Sequence, residues 1–313
     1  MSPWEDSNLS KQDRYGQYKE FLLSKVEALI AAYEREEITA DEVVALANDP
    51  DNKEFLEEVN KLLNETPEQF CFRLDGGLHR ELLGKNFLGA EEWKKGFDVD
   101  VGKVPPIPEW ITKELLEEEC QLHPGEQVKD THILVLVPKR VNGEAYSAVK
   151  LGELCAGTKG SGDKLIYDGA DWANAWKGEA WAQATQAESE WVLIPKSDPD
   201  PGKMKERYPS DWAGRHFRSK SIAEQAEVHK HYEADYREAR ALEVMTAALL
   251  NDVVNGEPRI LDGWNFLRCV EPNASGGRVE VGLFDAGGLM VHVEYDGHGY
   301  DNVGRSLARK SKS

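Results

Sequence analysis

The apolar residues of this chain recur at two spacings, every three or four positions in some stretches and consecutively or every second position in others. That difference separates helices from strands. Residues 10–36 carry Tyr18, Phe21, Leu22, Val26, Leu29, Ile30 and Tyr33 at helical spacing. Residues 39–47 repeat the pattern in miniature behind a Thr39 cap, and residues 51–64 repeat it again through Phe55, Val59 and Leu62. Three acidic helices with short links predict an N-terminal helical module over residues 1–66. Thr66-Pro67 opens the junction that follows.

Residues 67–305 read as one α+β core domain. HILVLV (132–137) is an uninterrupted run of leucine and β-branched residues stopped by Pro138, the pattern of a strand buried on both faces. WVLIP (191–195) is a second strand and KLIYD (164–168) a short third. Short helices are expected at 90–95, within ITKELLEEECQ (111–121), at 147–154 and, behind Asp171, through WANAWKGEAWAQATQ. VGKVPPIPEW (101–110) must be extended, because each proline lacks a donor and biases its predecessor away from the helix. SDPDPGKMKERYPSDWAG (197–214) reads as a long surface loop.

In the last third, Tyr236, Ala239, Leu242, Met245, Leu249 and Val253 give one apolar stripe, and Asn255-Gly256 ends that helix. Residues 219–235 continue the helical pattern weakly. One helix over 219–253 would be about 50 Å long, too long for a body with a radius of gyration of about 20 Å, so a break is expected near 233–236. RILDGWNFLRCV, RVEVGLFDA and LMVHVEY follow as three β-rich runs, separated by NASGG and AGG turns. The expected fold is α+β: an N-terminal helical region, then a mostly antiparallel sheet that joins HILVLV, WVLIP and the C-terminal strands, packed against the long C-terminal helix. Residues 306–313 are expected to be a basic, flexible tail.

Composition narrows the classes of partner. The 313 residues hold 57 acidic and 38 basic side chains, a formal charge of −19, which opposes close approach to polyanions. Nucleic acid and anionic membranes are therefore disfavoured. Apolar residues at 40% with charged residues at 30% describe a soluble globular chain, and no segment holds 18 uninterrupted apolar residues, so no membrane span is expected. Cys71, Cys120, Cys155 and Cys269 form no CxxC pair, which points to free thiols and a cytoplasmic location.

Three constellations are candidates for chemistry. His229 and Glu233 share one helical face while His231 points away, so a metal site would need His292 or His298 as a further ligand, with Asp296 and Asp301 as oxygen donors. The same loop, DGHGYDN (296–302), sets His298 beside Asp296 and Asp301, the minimum for general acid–base work; its bland alternative is a tight exit turn. Trp172, Trp176 and Trp212 belong to a tryptophan-dense segment that suits either a binding platform or core filling. GTKGSGDK (157–164) has the glycine spacing of a phosphate loop, but Asp163 stands where the lysine belongs, which is wrong in sign. No cofactor is expected, a divalent metal at the histidines being the one exception considered.

The blocks LLGKNFLG (82–89), DTHILVLVPK (130–139), WVLIPK (191–196) and GGRVEVGLFDAGGLMV (276–291) resemble blocks found in this order in a set of uncharacterised bacterial proteins. The resemblance implies a bacterial or phage-related cytoplasmic origin and treats residues 70–305 as one unit; it carries over no site residue. The functional expectation is a non-enzymatic interaction protein that meets a protein partner through its acidic helices. The alternative is a metal-dependent or acid–base hydrolase with its site near His229, His292 and His298.

Overall fold

The computed structural model describes residues 15–21, 24, 76–156, 158, 164–168, 171–199, 201–256, 265–272, 277–285, 287–294 and 300–311. The chain divides into two compact units, Met1–Leu78 and His79–Ser313. In the first, residues 15–21 are helical, within the first expected helix. The second and third expected helices lie outside the described residues.

Along the second unit the chain forms β1 (Phe87–Leu88), α1 (Ala90–Phe97), β2 (His132–Val137), the small hairpin β3 (Arg140–Val141) and β4 (Glu144–Ala145), α2 (Ala148–Cys155) and β5 (Glu190–Pro195). Then come α3 (Pro201–Arg207), α4 (Ile222–His229), β6 (Tyr236–Glu238) and α5 (Ala241–Asn255). The last third is β7 (Phe266–Pro272), β8 (Arg278–Asp285), β9 (Gly288–Glu294), β10 (Val303–Arg305) and β11 (Leu307–Arg309). The class is α+β, and among the described residues no helix is long and apolar enough to cross a membrane.

The strands do not share one sheet. β2 is central to a three-stranded sheet, parallel to β1 and antiparallel to β5, with Ile133 opposite Ile194 and Val135 opposite Val192. Every residue of β2 is buried, as its unbroken apolar run requires. The C-terminal strands form a separate four-stranded sheet in the order β10-β7-β8-β9, antiparallel except for the β10–β7 pair. KLIYD contributes an isolated parallel bridge, Ile166 to Leu289, rather than a strand.

The reason for two sheets is α5. It touches β1, β2 and β5 as well as β7, β8 and β9, and it also packs on α1 and α2. Residues from Ala241 to Asp252 are all buried, so the single stripe read from the sequence is only part of its apolar surface. Alanines 247 and 248, silent in a stripe, let neighbours approach on the remaining faces. Gly96 of α1 does the same from the other side: a Cβ there would stand 3.2 Å from Leu250, Val253 and Val254.

The helix begins later than its periodicity suggests. Residues 230–235 are turns, in the region of the expected break, but Tyr236–Glu238 is a strand because it pairs with β11. Glu243, the third helical residue, accepts the Arg240 N–H at 2.8 Å, and the Glu271 carboxylate accepts the Ala241 N–H at 2.9 Å. Two of the orphan donors of the first turn are thereby satisfied. Gly256, with φ of 59°, closes the helix by donating to Asp252 O.

Two other expectations are corrected. Segment 197–214 is not a bare loop: Pro201, whose ring suits the first turn of a helix, opens α3, and Met204 anchors that helix in a buried position. Residues 306–309 are not a solvated tail, since Ser306, Leu307, Ala308 and Arg309 are buried and β11 pairs with β6. Ser306 makes this possible. Its hydroxyl lies 2.8 Å from Arg268 O on β7 and 3.0 Å from Ala239 O beside β6, and its main chain donates to the same Arg268 carbonyl.

If α5 is the core that both sheets share, truncating it at a fully buried position should cost about 2–5 kcal/mol. Leu249→Ala should show that loss in urea-induced unfolding with both sheets melting together. A cost below about 1 kcal/mol, or a separate transition for one sheet, would contradict the packing described.

Candidate functional site

Of the residues that the sequence singled out, the described histidines do not converge. His229 ends α4 half-buried, its pKa lowered by burial and by the nearby Arg305 charge against the pull of Glu238 and Glu233. Glu233 is exposed in the following turn. His292 lies on β9, opposite Glu280 and with its ring 6.2 Å from Phe266. His229 adjoins Arg305 of β10, and β10 and β9 are the opposite edges of a four-stranded sheet. At about 4.8 Å per strand those edges stand about 14 Å apart, too far for one ion. Among the described residues no group of three or more His, Cys, Asp or Glu could hold a metal. Asp296 and His298 lie outside the described residues, and Asp301 is an exposed turn residue.

Trp176 is a core residue, stacked on Trp181 with centroids 5.9 Å apart. Trp172 is the second residue of the 3-10 segment Asp171–Gly178 and Trp212 the first of Trp212–Gly214, and their side chains lie outside the described ones. His132, the first residue of β2, is also structural: Nδ1 meets Thr131 Oγ1 at 2.9 Å and Nε2 meets Tyr236 Oη at 3.1 Å. Burial pulls its pKa down to about 3, so the ring is neutral.

What the fold does assemble is a cleft of about 360 Å³ at the start of β5. One wall is the extended segment with Pro105, Pro106, Pro108 and Trp110, the floor is Ser189–Val192, and the far wall brings Arg237, Arg309, Lys310 and Ser311. The proline wall is pinned by Trp191, whose indole Nε1 donates to Pro105 O at 2.8 Å while its ring packs 5.1 Å from Phe87. Prolines keep that wall extended and donor-free.

The polar groups of the cleft are unequally engaged. Ser189 Oγ accepts the Lys139 N–H at 2.8 Å, and Glu190 is held by Arg240 and by Gln186. Arg237 forms a two-pronged pair with Glu243, at 2.8 and 2.9 Å. Arg309 differs. Its side chain is 1% exposed, Nη2 pairs with Glu118, and its guanidinium lies 5.0 Å from the Tyr236 ring centroid. Nη1 has no hydrogen-bond partner among the described residues. Burial lowers the Arg309 pKa to about 10, which still leaves it charged at neutral pH. A buried, charged donor is incomplete without an acceptor, and Arg309 is among the residues that line the cleft.

Sequence reasoning missed this site because its parts are some 200 residues apart and Arg309 was assigned to a tail. The only local trace is Leu307-Ala308, two apolar residues inside a basic segment. The comparisons with known proteins add nothing here: no protein-family model, curated protein or solved structure matches the chain.

A second perturbed group lies apart from the cleft. Asp198 is buried on Gly304, where a Cβ would stand 2.5–2.6 Å from the carboxylate atoms. Arg218 Nε is 3.4 Å away and Oδ1 has no partner among the described residues. Burial raises its pKa to about 7, more than Arg218 and the Arg305 main-chain N–H hold it down. The unfolded carboxyl titrates near 3.8. Protonation therefore favours the folded state; that stabilisation is whole below pH 3.8 and is lost as pH rises through about 7. The free-energy difference between wild type and Asp198→Asn should shift by on the order of 4 kcal/mol in favour of the variant between pH 4 and pH 8. Urea titrations at several pH values measure it, and a difference independent of pH would refute the assignment.

Proposed function

We propose that the chain is a non-enzymatic binding protein whose cleft receives an organic anion, a carboxylate or phosphate group carried on an apolar body. The observation that carries this reading is Arg309: a residue of the cleft lining whose guanidinium is almost wholly removed from water, still charged, and has one buried donor without a partner among the described residues. Lys310 adds a second cation beside it, and Pro105, Pro106, Pro108 and Trp110 offer the apolar surface for the ligand body. The binding role expected from the sequence is kept, but its seat moves from the acidic helices to this cleft. Ser189 and Glu190 are already hydrogen-bonded elsewhere, which supports recognition rather than acid–base chemistry.

Matched probes test the proposal: phenylacetate and phenyl phosphate against neutral phenylacetamide, by isothermal titration. At least one anion should bind and the amide should not. Arg309→Lys keeps the charge but loses the fork and the stacking on Tyr236, so anion affinity should fall about 10- to 100-fold. Lys310→Ala, which leaves the buried pair intact, should weaken binding less. Equal binding of all three probes, or unchanged affinity in a folded Arg309→Lys protein, would overturn the reading.

A further inference from the structure

The anion cleft has a neighbour. Across Pro105 and Pro106, a second cleft of about 360 Å³ shares those prolines and Ser189 and carries Lys103, Lys139 and Arg140. The two clefts together gather six cations, Arg237, Arg309 and Lys310 on one side of the proline ridge and these three on the other. The opposing carboxylates among the residues that line them are Glu190 and Glu188, one to each cleft. Arg237 and Arg309 are paired with Glu243 and Glu118 behind the lining, and Lys139 with Glu188; even so, on a chain of formal charge −19, two adjoining surfaces lined by more cations than carboxylates run against the overall field.

Resting on the anion-binding reading above, we infer that the paired clefts form one groove for an extended acidic polypeptide segment, which sets one acidic side chain at Arg309 and a second at the Lys139–Arg140 end. Several features favour this occupant. The ridge is proline and Ser189 lines both sides, so a ligand crossing it passes apolar surface and a strand start rather than more charge. The cations fall in two separated groups, matching two spaced carboxylates better than a continuous phosphate backbone. The net charge further opposes a long polyanion. Among the described residues the Lys139 ammonium is held by a surface pair with Glu188 at 3.0 Å, both side chains well exposed, and such a pair yields readily to a ligand carboxylate.

The test uses the full chain and fluorescein-labelled peptides in anisotropy titrations. One series carries two Glu-Glu clusters separated by two to eight Gly, Ser and Pro residues; a second carries one cluster only. At some spacing, the two-cluster peptide should bind on the order of 10- to 100-fold tighter than the single-cluster peptide, because the second contact is intramolecular. The triple variant Lys103→Ala, Lys139→Ala, Arg140→Ala should reduce it to single-cluster affinity while phenylacetate or phenyl phosphate binding is unchanged. These are surface positions, and a thermal unfolding scan checks that the variant is folded. No gain at any spacing, or no effect of the triple variant, overturns the groove and leaves the Arg309 site standing. Tighter binding of a dodecathymidylate than of any peptide overturns it in favour of nucleic acid. An Arg309→Lys protein that binds the small anions as wild type does brings down the underlying reading instead.

Discussion

The buried carboxylate of Glu243 is the interaction on which the architecture turns. It is fully buried at the N-terminus of α5 and accepts from Arg237, Arg240 and the Arg240 main chain. Burial alone would raise its pKa, but the hydrogen bonds and charges of the two guanidiniums outweigh it and hold the carboxyl below its ordinary value. Asp198 shows the opposite balance. With one guanidinium at 3.4 Å and an unpartnered oxygen, its burial wins. The number and geometry of the charged partners decide which carboxylate stays ionised.

Glu243 joins three elements at once. Arg237 belongs to β6, Arg240 reaches Glu190 of β5, and Glu243 itself starts the helix that fills the space between the two sheets. The same cluster therefore orients α5 and sets the back wall of the cleft. Arg237 cannot leave the cleft without uncovering a buried carboxylate, a costly step in a low-dielectric interior. The cleft thus rests on a rigid frame, which suits recognition by preorganised donors.

The last described residues complete both the core and the site. Ser306 bridges β7 and the β6 side, β11 pairs with β6, and Arg309 is thereby carried under Tyr236 to the cleft edge. Arg305, one register back, pairs with Glu238. Basic residues in so short a segment would ordinarily stay in water; here Arg305 and Arg309 are each met by a carboxylate from a distant part of the chain, Glu238 and Glu118.

By itself the sequence determined the elements whose signal is local. HILVLV read as a buried strand and WVLIP as a second strand, Asn255-Gly256 marked a helix end, and the proline segment read as extended, because periodicity, capping and missing donors act within a few residues. Tertiary structure decided what depends on remote partners. Whether Tyr236–Glu238 is helix or strand is set by β11, whether α5 shows one apolar face or all of them by two sheets closing on it, and whether Arg309 is tail or site by Glu118 and Tyr236. A charge buried against a partner some 190 residues away leaves no trace in its own neighbourhood, because Coulomb and desolvation energies depend on distance in space and not along the chain.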